Sequence, residues 1–235
     1  MKNIVNIPVA SGLLLFSIFS AHIQAEDIQM QSTPILQNII LLPASTNISV
    51  KALLLHMARA SSVPMNVEIH RLNESVEQDT QPVGSWNSRS STISNVLSET
   101  KRRIPSFSWQ ASEHTINLIL KDPSLTEDVF LSQLKEDYSF SGSQMELIIW
   151  LGQVFPRVPI NYRETGGVAT KAYTIDFKTG TSLRQILNSY AFLAEEVWVA
   201  NVGYTSESTG DSDYKVTAEL SFIRKGNVRG QEVFK

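Results

Sequence analysis

The stretch VPMNV at residues 63–67 recurs 95 positions later as VPINY at residues 158–162. Before each copy, aligned positions follow the i, i+3, i+4, i+7 spacing of an amphipathic helix. These positions are Val50, Leu53, Leu54 and Met57, aligned with Met145, Ile148, Ile149 and Gly152. The proline of each copy ends the helix and favours an extended chain after it. The sequence therefore predicts the same helix–strand unit twice, with Ser49 and Ser143 near the helix starts.

A second match follows each copy, at an offset of 90 residues. Residues 93–97 share their apolar pattern with residues 183–187, and hydroxyl side chains precede both stretches as helix caps. Next, Phe107 and Trp109 alternate as in a strand and align with Val197 and Val199. Apolar return strands are expected at residues 115–120 and 215–222. Each half thus predicts a second helix followed by a hairpin.

These patterns predict an α+β fold of two repeated small modules, each a short sheet packed against two helices. We expect a first module at residues 26–122 and a second at 123–224, followed by a C-terminal tail at 225–235. Chance similarity between amphipathic helices is the alternative explanation, against which the shared Val-Pro-x-Asn argues.

The N-terminus has the three parts of an export signal. Lys2 supplies positive charge, residues 12–19 form a short apolar run, and Ala25 offers a small residue at a cleavage point. We therefore expect residues 1–25 to be a cleaved signal peptide and the protein to be periplasmic or secreted. An uncleaved anchor or a buried helix remains the alternative. No later segment is apolar enough to span a bilayer, so no membrane span is expected after cleavage.

Composition narrows the chemistry. The 235 residues include no cysteine, which excludes disulfides, thiolate metal sites and cysteine nucleophiles. A net charge of −3 gives no electrostatic reason to expect binding to nucleic acid. The three histidines beyond residue 25, His56, His70 and His114, lack a ligand partner at i+3 or i+4. We expect neither a metal nor a cofactor.

The paired modules resemble the short N-terminal domain of secretins and TonB-dependent receptors. Residues 49–58 resemble the first helix of that domain, residues 63–68 the strand after it, and residues 91–97 the second helix. In the second half, residues 145–151, 158–162 and 181–187 show the same likeness. The resemblance covers about 60 residues in each half, without a secretin core, plug or barrel downstream. It implies a non-catalytic periplasmic interaction module and transfers no functional residue.

Two short motifs suggest an alternative reaction. Ser98 and Lys101 form a Ser-x-x-Lys, and residues 178–180 read Lys-Thr-Gly, as in penicillin-binding proteins and serine β-lactamases. Ser98 would be the nucleophile, Lys101 its base partner and Lys178 the residue that recognises a substrate carboxylate. The context differs from that family, because Ser98 lies late in its predicted helix and Lys178 in a turn.

Candidate binding residues are a basic triplet and one tryptophan. Lys101, Arg102 and Arg103 lie near a helix C-terminus, where they complement the helix dipole or contact an anionic partner. Trp86 lies in a polar connection and is the first choice for an exposed aromatic anchor. Trp109 and Trp198 are expected to pack against the sheets.

The sequence therefore predicts an exported, non-enzymatic module that binds envelope proteins through sheet edges or loops. An envelope-acting serine hydrolase or acyltransferase using Ser98 and Lys101 is the alternative. A carrier with a small-ligand groove between the modules is a third class. Oligomeric state is left open.

Overall fold

The computed structural model describes residues 34–42, 44, 48–72, 82–83, 89–163, 171–206 and 214–224. The predicted signal peptide at 1–25, the tail at 225–235 and Trp86 lie outside these residues. All described residues belong to one compact unit. The α+β class is confirmed.

Four α-helices are described: α1 (Val50–Ala60), α2 (Ile93–Arg103), α3 (Gln144–Val154) and α4 (Leu183–Ala194). Short 3-10 helices cover Pro34–Gln37 and Val129–Leu131. The strands are β1 (Ile39–Leu42), β2 (Met65–Leu72), β3 (Arg89–Thr92), β4 (Phe107–Ala111), β5 (Ile116–Lys121), β6 (Tyr138–Gly142), β7 (Ile160–Tyr162), β8 (Tyr173–Phe177), β9 (Glu196–Ser206) and β10 (Tyr214–Arg224).

Hydroxyl caps begin three of the helices, as their sequence patterns predict. The side-chain oxygens of Ser49, Thr92 and Ser182 accept hydrogen bonds from backbone N–H groups in the first turns of α1, α2 and α4. Each bond satisfies a donor that the helix itself leaves unpaired. At the start of α3, the Glu146 carboxylate accepts from the backbone N–H of Ser143.

Six strands form one sheet in the order β4-β5-β2-β9-β10-β7. The expected separate short sheet in each half is therefore not what the structure shows. The two groups of three strands join where β2 pairs in parallel with β9, from Val67 opposite Val199 to Leu72 opposite Tyr204. The edge of one small sheet is thus covered by the other. The proposed boundary near residue 122, and the repeat itself, stay predictions.

The two groups of strands have the same order and opposite directions. β5 is parallel to β2 and antiparallel to β4, just as β10 is parallel to β7 and antiparallel to β9. Because β2 and β9 are parallel, every strand of the second group runs opposite to its counterpart in the first. The two groups are related by a half-turn rotation combined with a translation of three strands. The rotation axis lies in the plane of the sheet, perpendicular to the strands, and the translation runs along that axis.

This half-turn places the two hydrophobic cores on opposite faces of the sheet. Met65, Val67 and Ile69 of β2 pack in one core with the apolar sides of α1 and α2. Trp198 and Ala200 of β9 point to the other face and pack with α3 and α4. The opposite faces follow from register, since Val67 lies beside Val199 and not beside Trp198.

The sequence alignment of β4 with β9 is one residue out of step with the structure. Phe107 faces the helices of its own half, and the corresponding residue of β9 is Trp198 rather than Val197. Residues 104–106 separate α2 from β4, whereas Glu195 alone separates α4 from β9. Glu195 adopts the left-handed conformation, with φ of 56°. The different connection moves the alternation of β9 by one position.

Two small antiparallel ribbons flank the main sheet. β1 pairs with β3, and β6 pairs with β8. The longest described α-helix has 12 residues. In the part of the chain that the structure describes, none of the helices has the length and apolar character needed to cross a bilayer.

Candidate functional site

The side of β2 that faces away from α1 and α2 is polar but buried. Asn66, Glu68 and His70 alternate with the apolar residues of the strand, and each is at most 1% exposed. The covering groups come from the second half of the chain. This surface is therefore the junction between the two groups of strands, and we call it the polar junction.

Arg184 of α4 binds Glu68 in a two-point contact. Its Nε donates to Oε1 and its Nη2 to Oε2, both over 2.6 Å. The Arg184 residue is 3% exposed, so water screens this pair little. Burial alone would lower the pKa of Arg184, but the hydrogen bonds and charges of Glu68 and Asp128 outweigh burial and raise it. The guanidinium therefore stays protonated in the junction.

Two further residues hold the same guanidinium. Nη2 of Arg184 also donates to Asp128 Oδ2 over 2.7 Å, and Nη1 donates to Gln110 Oε1 over 3.2 Å. Asp128 precedes the 3-10 helix Val129–Leu131 and accepts from the Phe130 N–H with its other oxygen. The Arg184 side chain thereby ties together α4, β2, β4 and the segment that links the two halves.

His70 extends the network toward β9. Its Nε2 lies 3.3 Å from Glu68 Oε2, and its Nδ1 lies 3.0 Å from the Tyr204 hydroxyl. Since the Glu68 carboxylate only accepts hydrogen bonds, Nε2 donates to it. In the tautomer with its proton on Nε2, Nδ1 accepts from the Tyr204 hydroxyl. Burial raises the pKa of Tyr204, which keeps this hydroxyl protonated.

Glu68, His70 and Asp128 are also the described residues that could hold a metal ion, since ligand atoms of the three lie within 4.8 Å of one another. Arg184 Nη2 already occupies the space between the two carboxylates, within 2.6 and 2.7 Å of their oxygens. A cation there would have to displace a buried guanidinium of the same charge sign. The geometry therefore fits an ion-pair network better than a metal centre.

An amide network continues the junction beside Arg184. Asn66 Nδ2 donates to Asn117 Oδ1 over 3.1 Å and to Asn188 Oδ1 over 2.9 Å. Trp198 donates its backbone N–H to Asn66 Oδ1 over 3.1 Å and its indole N–H to Asn188 Oδ1 over 2.9 Å. The asparagine of the first VPxN copy thus fixes β9 against β2.

Among the described residues, the counterpart of this surface in the second half forms a groove instead of being covered by a helix. A groove of about 510 Å³ lies along β7, β9 and β10, and its lining includes Asn161, Asn201, Thr217 and Glu219. Asn161 is the asparagine of the second VPxN copy and pairs in register with Glu219. The Oδ1 atom of Asn201 is buried and has no hydrogen-bond partner among the described atoms.

The β1–β3 ribbon exposes apolar side chains. Ile39 and Leu41 of β1 are 59% and 61% exposed, while Ile40 and Leu42 point into the core. Within the described residues, β3 is the only strand that pairs with β1, so the other edge of β1 is unpaired. The ribbon β6–β8 differs, because Ser141 and Thr174 on its outer side bond each other over 2.9 Å.

The predicted basic triplet lies at the exposed end of α2. Arg102 donates two hydrogen bonds to Glu99, and Arg103 donates one. These bonds lower the pKa of Glu99 to about 2. Lys101 Nζ donates to the Pro105 carbonyl over 2.7 Å. The triplet therefore also stabilises the helix end, and its predicted binding role stays a prediction, as does that of Trp86.

Of the residues of the hydrolase alternative, Ser98 and Lys101 lie on α2, and Lys178 lies outside that helix. Ser98 is exposed in the middle of α2, and the Lys101 ammonium points to the Pro105 carbonyl. Lys178 lies in the turn before α4 and donates to Asp137 over 3.0 Å, which raises the pKa of the lysine. No hydrogen bond between Ser98 and Lys101 is found among the described contacts, and the acyl-enzyme hypothesis stays untested.

The polar junction was missed from the sequence. The sequence signal in β2 is the alternation of Asn66, Glu68 and His70 with apolar residues. This alternation is typical of a strand with one face exposed to solvent. The pairing of β2 with β9 that buries these residues joins positions 132 residues apart. Arg184 in the first turn of a predicted amphipathic helix was the other available signal.

Comparisons with family models, curated proteins and solved structures find no match to this chain.

Proposed function

We propose that the protein is an exported, non-catalytic module that binds an extended segment of an envelope protein along β1. The observation that carries the proposal is the pair of outward side chains Ile39 and Leu41, beside an edge that no described strand covers. An exposed apolar edge strand invites aggregation unless a partner covers it. Strand addition would satisfy the edge by main-chain hydrogen bonds, and pockets for alternate side chains would supply specificity.

The contrast with β6 supports this interpretation. Burial alternates in the same way in β1 and β6, so Ser139 and Ser141 occupy the outward places of Ile39 and Leu41. Polar residues satisfy the folding requirement at these places in β6. The apolar pair in β1 is therefore not required by the fold. Covering Ile39 and Leu41 would contribute about 1–2 kcal/mol each.

The polar junction supports a non-catalytic role, because its charged groups bond one another. Arg184 and Glu68 are buried, and their contacts hold β2, β9 and α4 together. The export and envelope parts of the proposal rest on the predicted signal at residues 1–25.

The test places a photo-crosslinking amino acid at position 41 in cells that express the chain at native level. Position 141 on β6 serves as the matched control. We expect one envelope protein to be captured at position 41 and not at 141, and the purified pair to lose at least about tenfold in affinity on Leu41→Lys. Ser141→Lys should leave the affinity unchanged. Equal capture at both positions would refute the role of β1.

A further inference from the structure

The internal junction shows how a strand and a helix together cover one edge of this sheet. β9 pairs with β2, and one side of α4 lies over the polar side of β2. That side of α4 consists of residues four apart. Arg184 binds Glu68, Asn188 binds Asn66, and the Phe192 ring stacks on His114 with centroids 4.9 Å apart. The strand and the helix act as one covering unit.

The β7 edge of the sheet resembles β2 as it would be without its covering strand and helix. β7 takes the place of β2, because it is parallel to β10 as β2 is to β5. The Pro159 carbonyl and the Arg163 N–H face β10, so the backbone groups of Ile160, on the alternate position, face away from it. Within the described part of the chain, β10 is the only strand that pairs with β7.

The groove lies where a covering helix would lie. On β2, the helix side chain of Asn188 reaches Asn66; on β7, the equivalent Asn161 is exposed and lines the groove with Glu219. The unpartnered Oδ1 of Asn201 lines the same groove. A polar surface with an unused buried acceptor fits a polar helix side better than an apolar one.

At the opposite edge of the sheet, β4 and α2 resemble the covering strand β9 and helix α4. β4 corresponds to β9, and it is the other edge strand of the described sheet. The Ser106 carbonyl and the Ser112 N–H face β5, so the backbone groups of Trp109 and Ala111 face outward. On α2, Ser94, Ser98 and Arg102 occupy the places of Arg184, Asn188 and Phe192. Ser98 and Arg102 are exposed.

We propose that the chain assembles head to tail with copies of itself. β4 of one copy pairs in parallel with β7 of the next, and α2 of the first copy lies in the groove of the second. Ser98 then meets Asn161 as Asn188 meets Asn66 inside the chain. The occupant is a second copy because β4 and α2 are the only described elements, apart from β9 and α4, that present this strand–helix unit.

The geometry favours an open filament over a closed ring. One half-turn relates the two strand groups inside a copy, and a second relates a copy to the next. Together they restore the original orientation, so neighbouring copies are related by a translation of six strands, or about 29 Å at 4.8 Å per strand. Sheet twist adds a rotation about the direction of that same shift. A heterologous contact whose rotation lies along the translation does not close.

The test is sedimentation velocity of the purified full chain over roughly 1–200 µM, the range of weak protein contacts. We expect the sedimentation coefficient to rise with concentration. Ser98→Arg, which blocks the α2 side, and Asn161→Arg, which blocks the groove side, should each weaken association at least about tenfold. Ile149→Arg on exposed α3 is the matched control and should assemble as the parent does.

Mixing the two blocked variants decides the geometry. Each retains one intact side, so an equimolar mixture should form dimers and no larger species, as a head-to-tail contact requires. A parent chain that stays monomeric throughout the range refutes the proposal. So does a monomeric mixture, or assembly that is lost with Ile149→Arg and kept with Ser98→Arg. Leu41→Lys lies outside both surfaces, so failure of this assembly leaves the β1 proposal standing.

Discussion

Replacing Arg184 with methionine tests whether the polar junction holds the two halves of the sheet together. The change keeps a long side chain but removes the guanidinium that donates to Glu68, Asp128 and Gln110. Two carboxylates are then left buried without their shared cation. Removing one member of a buried ion pair typically costs about 3–5 kcal/mol, because the remaining charge is unpaired.

That cost is a large part of the stability of a domain, which is typically about 5–15 kcal/mol. For a chain of this size, each kcal/mol lowers Tm by about 2–4 °C, so we expect Arg184→Met to lower Tm by about 6–20 °C. Urea unfolding at pH 7 should show the same loss, followed by circular dichroism and tryptophan fluorescence. Trp198 is a local reporter, since its ring lies 5.3 Å from Phe130 at the junction.

Arg102→Met is the matched control. Arg102 also makes a two-point contact with a glutamate, but its side chain is 71% exposed. Exposed pairs contribute little to folding, so the urea midpoint of this variant should stay close to that of the parent chain. Adding Glu68→Leu to Arg184→Met should recover part of the stability by removing one unpaired charge. An Arg184→Met midpoint no lower than that of Arg102→Met would refute the reasoning.

Three other changes test neighbouring contacts. Asn188→Leu removes the acceptor of the Trp198 indole N–H, so we expect a loss of about 1–3 kcal/mol and an altered tryptophan emission in the folded state; unchanged emission would contradict the contact. Ser182→Ala removes the α4 cap and should cost about 0.5–2 kcal/mol in urea unfolding. Burial raises the pKa of Glu196 above its ordinary 4.5, although Arg224 opposes the rise. The contribution of Glu196 to stability is therefore lost as pH rises through the raised pKa. We expect the Tm of Glu196→Gln to match that of the parent near the ordinary pKa and to exceed it at neutral pH. A constant difference in Tm at all pH values would contradict this.

Local elements could be predicted because their causes are local. Each acts within a few residues of its own position: the apolar pattern around Leu53 and Leu54, the helix caps at Thr92 and Ser182, and the proline at 64. The α+β class followed from these elements. The alignment of Phe107 with Val197 failed by one residue, because α4 has 12 residues where α2 has 11, and its connection to β9 passes through the left-handed Glu195.

The sites depend on contacts that no local pattern encodes. Glu68 and His70 are polar at alternate positions of a strand, and such residues normally face water. They are buried here because β9 pairs with β2 and α4 brings Arg184 over them, across 116 positions of sequence. The basic triplet was visible in sequence, but its bonds to Glu99 appear only when the side chains are placed on α2.

The sequence by itself determined the helices and the hairpins, since hydrophobic periodicity, capping and proline geometry operate over one or two turns. Only the tertiary structure decided that the strands form one sheet with helices on opposite faces. Strand pairing uses main-chain groups that every residue except proline carries in full, so the sequence cannot name the partner of an edge. In the described part of the chain, β4 and β7 are the edge strands of the main sheet, and we propose that partners bind at these edges and at β1.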